Sequence, residues 1–92
     1  ASTSHERAAE FAAEFGAPHA FGRYADLVSC PGLDVVYIAT PHVLHHENAL
    51  LCLEAGLPVL CEKPFAMNAR QARHMVETAR RNRVFLMEAL WT

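Results

Sequence analysis

The second half of this sequence alternates between short apolar runs and stretches with helical spacing. Residues 34–39 are rich in β-branched side chains, residues 57–61 form a second apolar run, and residues 84–87 form a third. Because parallel strands need a long crossover, usually a helix, this alternation predicts an α/β fold with a parallel sheet and right-handed connections. The continuous apolar character of residues 34–39 predicts a strand covered on both faces, with Tyr37 in the core.

Capping signals indicate where the two intervening helices begin. Thr40 before Pro41 is typical of a helix start, with threonine as the N-cap and proline at the first helical position. Asn68, with Gln71 three residues later, is typical of the second start, and Gly56 of the end of the first helix. The side chains expected to face the core are Val43, Leu50, Leu53 and Leu57 in the first helix, and Ala69, Ala72, Val76 and Ala79 in the second.

The first third of the chain predicts a helix, a brief strand and a short helix. Thr3 and Glu6 have the spacing of a capping box, and Gly16 is a suitable stop for the helix that follows them. Residues 19–21 are consistent with a brief strand and residues 24–30 with a short helix.

The composition excludes several classes of protein. The chain has 92 residues, enough for one small domain, and its hydrophobic fraction is 52%. Its net charge of −2 offers no basic surface for nucleic acid or an anionic membrane, and no apolar run is long enough to span a bilayer. The three cysteines fit neither a disulfide framework nor a zinc site, so we expect a cytoplasmic protein.

One lysine stands at the end of the second apolar run. Lys63 is the only lysine in the chain and lies within the motif Cys61-Glu62-Lys63-Pro64. In an open α/β sheet, ligands bind outside the carboxyl ends of the strands, where a lysine can meet a substrate and transfer a proton. A surface lysine in a strand-to-helix loop is the alternative interpretation.

Several motifs together resemble one family of oxidoreductases. They occur in order, with the expected element between each: Thr40-Pro41 with His45, then Cys61-Glu62-Lys63-Pro64, then Phe85-Leu86-Met87-Glu88-Ala89. This arrangement resembles the glucose–fructose oxidoreductase, inositol dehydrogenase and related family (Gfo/Idh/MocA) over essentially the whole chain. Residues 85–92 are most similar to the branch that contains dihydrodiol and D-xylose dehydrogenases.

The resemblance implies a two-domain enzyme with an N-terminal Rossmann domain and a C-terminal α/β substrate domain. Residues 1–92 would then be a partial NAD(P)-binding Rossmann domain, an incomplete doubly wound parallel sheet without the C-terminal domain. We expect the first strand and the glycine-rich loop to be missing, since the four glycines nowhere form G-x-G-x-x-G. Because the first strand is central in this fold, elements before and after Gly32 would share no direct ladder.

The family resemblance also implies roles for individual residues. Lys63 and His45 would be catalytic, with the lysine near the nicotinamide and the substrate hydroxyl and Glu62 orienting it. The cofactor would be held by Thr40, Pro41, His45, Glu62 and Lys63. A simple N-cap at Thr40 and a helix-surface histidine at position 45 remain open alternatives.

A cluster of histidines raises the question of a metal site. His42 with His45 or His46 would share a helix face. No cysteine or acidic ligand joins them at a recognised spacing, and Glu47 alone is not enough. We therefore expect no metal.

Two further positions concern the ligands. Ser2 corresponds to the position where NAD-selective Rossmann domains carry an acidic residue, and the hydroxyls of Ser2 and Thr3 favour NADP over NAD. Arg7 would replace the arginine that NADP-using relatives carry next to it, and Thr3 as a simple helix cap is the alternative. Trp91 would line an aromatic substrate pocket or else anchor the missing domain.

These expectations combine into one function and two alternatives. We expect an NAD(P)-dependent dehydrogenase that transfers a hydride between nicotinamide and a secondary alcohol of a sugar or cyclic diol. The full-length protein would be a homo-oligomer, and the fragment alone inactive. The alternatives are a non-catalytic sensor that binds a dinucleotide or sugar with the same fold, and a stand-alone binding module.

Overall fold

The computed structural model describes residues 1–89, and they form two compact units. The division falls between Pro31 and Gly32, where the sequence predicted that no ladder would cross.

The first unit contains two helices, α1 (His5–Phe15) and α2 (Tyr24–Leu27). The Ser4 hydroxyl accepts a hydrogen bond from the Arg7 amide at 3.3 Å, so Ser4 is the N-cap and the prediction of Thr3 as the cap is wrong. Gly16 ends α1 in the left-handed conformation (φ 73°), as predicted. Residues 19–21 form no strand, although the Phe21 carbonyl accepts a hydrogen bond from the Ser2 amide at 3.0 Å.

The second unit is built on a parallel sheet of the order β1-β2-β3, which confirms the predicted fold class. Its strands are β1 (Val36–Ile38), β2 (Val59–Glu62) and β3 (Leu86–Ala89). Val36 pairs with Val59, and Val59 with Leu86, so the three strands start level with one another. All three carboxyl ends therefore lie at the same edge of the sheet.

A 3-10 turn precedes the first crossover helix. The turn covers His42–Leu44, and the helix α3 covers His45–Glu54, so the α-helix begins later than the predicted start at Thr40. Val43, predicted to face the core, lies in the 3-10 turn and is 63% exposed, whereas Leu53 is fully buried as predicted. The buried residues of α3 follow helical spacing from its first residue: His45, Asn48, Ala49, Cys52 and Leu53.

The second crossover helix, α4 (Ala69–Asn82), begins at the predicted cap. The side-chain oxygen of Asn68 accepts a hydrogen bond from the Gln71 amide at 2.9 Å. Its buried face is centred on Met75, Thr78 and Ala79, whereas Val76, predicted to be buried, is 36% exposed. Thr78 is tolerated in the core because its hydroxyl donates to the His74 carbonyl at 2.7 Å.

Only one face of the sheet is covered within the described residues. Val36, Ile38, Val59 and Cys61 are buried, while Tyr37 is 57% and Met87 51% exposed. The expectation of a strand covered on both faces, with Tyr37 in the core, is therefore wrong for residues 1–89. No helix in this part of the chain is long and apolar enough to cross a membrane.

Candidate active site

The carboxyl ends of β1 and β2 bring the predicted site residues of the second unit together. Thr40 and Pro41 follow β1 closely, Glu62 is the last residue of β2, and Lys63 comes directly after it. In this class of fold, ligands bind outside this edge of the sheet. Lys63 is exposed there, and the peptide bond between it and Pro64 is cis.

His45 is completely buried beneath this edge, so the alternative of a helix-surface histidine is wrong. Its Nδ1 lies 2.7 Å from the carbonyl oxygen of Pro64, and its Nε2 lies 2.9 Å from the carbonyl oxygen of Thr40. The ring thus connects the segment after β1 to the turn after β2.

The Thr40 hydroxyl does not cap the helix that follows. It accepts a hydrogen bond from the side-chain Nδ2 of Asn48 at 2.8 Å, and the 3-10 turn begins without a side-chain cap. Asn48 lies one helical turn after His45, so two buried polar side chains of α3 hold the same threonine. Asn48 was not among the residues predicted from the sequence, although its spacing from His45 was a usable signal.

Glu88 holds the turn after β2 from the opposite side. Its carboxylate accepts a hydrogen bond from the Phe65 amide at 2.9 Å. The carbonyl of Pro64 and the N–H of Phe65 belong to one peptide group, so His45 and Glu88 bind its two ends. The sequence placed Glu88 after the last strand, whereas it lies inside β3.

Glu62 receives a hydrogen bond from a neighbouring strand, since the Tyr37 hydroxyl donates to its carboxylate. This hydrogen bond, followed by desolvation and the negative charge of Glu62, raises the pKa of Tyr37 above its ordinary value of 10.0. Tyr37 therefore stays protonated and continues to donate at physiological pH. The sequence offered no signal for this pair, because it joins residues from two strands.

The Cys61 thiol lies buried next to these groups. Desolvation, followed by the charges of Glu88 and Glu62, raises its pKa to about 11. Its Sγ donates weakly to the carbonyl of Phe65 at 3.7 Å. A thiol that is protonated at neutral pH is a poor nucleophile, so Cys61 is a packing residue.

The remaining predicted residues lie elsewhere. Ser2 and Thr3 belong to the first unit, where the Ser2 hydroxyl accepts from the Ser4 amide at 3.3 Å. Trp91 lies outside the described residues. Among residues 1–89, no three His, Cys, Asp or Glu side chains form a group that could hold a metal ion.

A parallel α/β unit with polar groups gathered at the carboxyl ends of its strands defines a nucleotide-binding fold of the Rossmann class. The chain belongs to the Gfo/Idh/MocA oxidoreductase family, which has an NAD-binding Rossmann fold and matches residues 1–90. The resemblance stated from the motifs is thus confirmed.

Individual relatives agree with this membership. The chain is 52% identical to D-xylose 1-dehydrogenase (NADP(+)) of Hypocrea jecorina, over 99% of this chain and 24% of the relative. It is 52% identical to trans-1,2-dihydrobenzene-1,2-diol dehydrogenase of Mus musculus, over 94% of this chain and 26% of the relative. An NAD binding oxidoreductase from Klebsiella pneumoniae superimposes with a TM-score of 0.90 at 41% identity, covering 96% of this chain and 23% of that one. The chain therefore spans about a quarter of the length of these relatives.

Proposed function

We propose that this chain is part of an NAD(P)-dependent dehydrogenase that oxidises a secondary alcohol of a sugar or cyclic diol, reversibly. The observation that carries the proposal is the position of Lys63, directly after β2, in a turn whose next peptide group is bound by His45 and Glu88. Similarity to two named dehydrogenases favours catalysis over the alternative of a sensor.

The proposed roles divide between the cofactor and the protein. The bound nicotinamide would supply the hydride chemistry. Lys63 would take the proton from the substrate hydroxyl at its Nζ, and Glu62 would orient it. His45 would act through the turn, because both its ring nitrogens bond to backbone carbonyls and its side chain is fully buried.

The residues of this chain would bind only part of a dinucleotide cofactor. Thr40, Pro41, Glu62 and Lys63 supply polar groups and a cation at the edge where the nicotinamide half would lie. No glycine-rich phosphate loop occurs in the sequence. We therefore propose that the chain is the later part of a Rossmann domain in a longer protein, which also carries a C-terminal α/β substrate domain.

The cofactor proposed is NADP. Ser2 and Thr3 present hydroxyls rather than a carboxylate at the position that would face the adenosine ribose, and one close relative is named for NADP(+). Replacing Ser2 by Asp should weaken NADP binding and strengthen NAD binding, measured as the ratio of kcat/KM values. An unchanged ratio would remove Ser2 from the cofactor site.

Substitution of Lys63 tests the catalytic proposal. In the full-length enzyme, Lys63→Met should lower kcat about 100-fold or more, while the KM for NADP changes less than about threefold. Lys63→Arg is the matched control, since it keeps the positive charge but does not release a proton. Turnover is followed by nicotinamide absorbance with D-xylose and cyclic diols as substrates. Full activity in both variants would exclude Lys63 as the proton acceptor.

Two statements about the full-length protein stay predictions. We expect it to be a homo-oligomer and to be located in the cytoplasm.

A further inference from the structure

Two histidines from neighbouring helices face each other at the surface of the second unit. His46 is the second residue of α3, and His74 lies in the first half of α4. Nε2 of His46 lies 3.0 Å from Nδ1 of His74, and the ring centroids are 5.1 Å apart. His46 was expected to share a helix face with His42, but the partner of its ring nitrogen is His74, 28 positions later in the chain.

This spacing matches that of two ligands on one metal ion. Imidazole nitrogens bind zinc at about 2.0–2.1 Å, so two of them lie about 2.9 Å apart at a right angle and about 3.4 Å apart at the tetrahedral angle. The observed separation of 3.0 Å falls within that range. A metal ion could therefore replace the proton of this hydrogen bond once the two rings turn their nitrogen lone pairs toward a common point.

We propose that His46 and His74 form a bidentate site for a divalent transition-metal ion of the Ni²⁺, Cu²⁺ and Zn²⁺ class, which bridges α3 and α4. Imidazole ligands suit this class of ion. Residues 1–89 offer no third ligand in a group with these two, so water completes the coordination. The proposal is independent of the dehydrogenase reaction and uses none of its residues.

The backbone holds the two imidazoles in position. Both side chains project from helices rather than loops, which keeps the two nitrogens close together before an ion arrives.

Calorimetric titration with NiCl₂ at pH 7.5 tests the site in the untagged full-length protein. The wild type should bind Ni²⁺, and His46→Gln and His74→Gln should each weaken that binding about tenfold or more, because one of two linked contacts is lost. His19→Gln is the control, since His19 is exposed and belongs to the other unit, and it should bind like the wild type.

Two results would overturn the proposal: no binding by the wild type, or equal binding by the wild type and both variants. A second measurement needs no substitution. Ni²⁺ added below stoichiometry to protein labelled with ¹⁵N-histidine should broaden the resonances of His46 and His74 and spare that of His19. Broadening that is uniform over all histidines would equally exclude a specific site.

Discussion

The Tyr37 hydroxyl donates a hydrogen bond to the carboxylate of Glu62, from the middle of β1 to the last residue of β2. The register explains how this contact forms. Tyr37 pairs with Leu60, and Glu62 lies two residues further along β2, so both side chains project from the same face of the sheet. The residue immediately before Lys63 is thus held by a side chain from a different strand.

Replacement of Tyr37 by Phe should remove one tyrosine that ionises at unusually high pH. The hydrogen bond to Glu62 raises the pKa of Tyr37 above 10.0, so its phenolate should form only above the ordinary tyrosine range. Difference spectra near 295 nm between wild type and variant measure this transition, and Tyr24→Phe is the control. Glu62→Gln should lower the pH at which Tyr37 ionises, because the charged acceptor is lost. The same ionisation pH in Glu62→Gln and in the wild type would exclude the contact between Tyr37 and Glu62.

The raised pKa of Tyr37 also predicts the direction in which the stability of the protein changes with pH. A group that holds its proton more tightly when folded contributes stability below its unfolded pKa and loses it as pH rises through the folded value. The wild type should therefore lose stability relative to Tyr37→Phe only above about pH 10. Urea unfolding at pH 7 and at pH 10.5 checks this direction, and a loss on acidification instead would contradict it.

Replacement of His45 by Ala should destabilise the protein strongly. The change removes two hydrogen bonds and leaves a cavity in a fully buried position, at a cost of about 2–4 kcal/mol in the free energy of unfolding. His42→Ala, at an exposed position next to it, should cost no more than about 0.5 kcal/mol. Urea unfolding distinguishes the two, and similar losses in both variants would show that the buried contacts of His45 contribute little.

Replacement of Glu88 by Ala should loosen the turn after β2. The amide of Phe65 loses its carboxylate acceptor, so its hydrogen exchange should accelerate about tenfold or more. Glu88→Gln is the matched control, since it keeps an oxygen acceptor of the same length. Exchange at residue 65 that is equally slow in all three proteins would show that Glu88 does not hold the turn.

Thiol labelling should distinguish the three cysteines. Burial raises the pKa of both Cys52 and Cys61 to about 11, so at pH 8 only about one thiol in a thousand is ionised at either position. Peptide mapping after brief iodoacetamide treatment should find the label at Cys30, and Cys30→Ser should abolish it. Labelling of Cys61 at the rate of a free thiol would contradict its burial.

The order and type of the crossover elements could be predicted because they depend on local periodicity. The first and last residues of the strands could not be predicted, because they depend on pairing between strands. Strand β2 begins at Val59, which pairs with Val36 and Leu86, the first residues of β1 and β3. The buried face of α3 was predicted only in part: Leu53 is fully buried as expected, whereas Val43 lies in the 3-10 turn after Pro41 and is exposed.

The site was predictable in part. The family resemblance implied roles for Lys63 and His45, because the motifs that carry it can be read along the chain. The partners of His45 and of Glu62 could not be read in this way, because the contacts to Pro64 and Tyr37 cross between separate elements. The hydrogen bond from the Phe65 amide to Glu88 crosses between elements in the same way, whereas the helical spacing of Asn48 from His45 was a signal that could have been used.

The peptide group between Pro64 and Phe65 is bound at its oxygen by α3 and at its nitrogen by β3. A crankshaft rotation of that plane would have to break both bonds at once, so the main chain beside Lys63 has little freedom to adjust. Changes in the position of the Lys63 Nζ must then come mainly from the torsions of its own side chain. In the role proposed for Lys63, substitutions at position 45 or 88 should therefore lower kcat more than they raise KM.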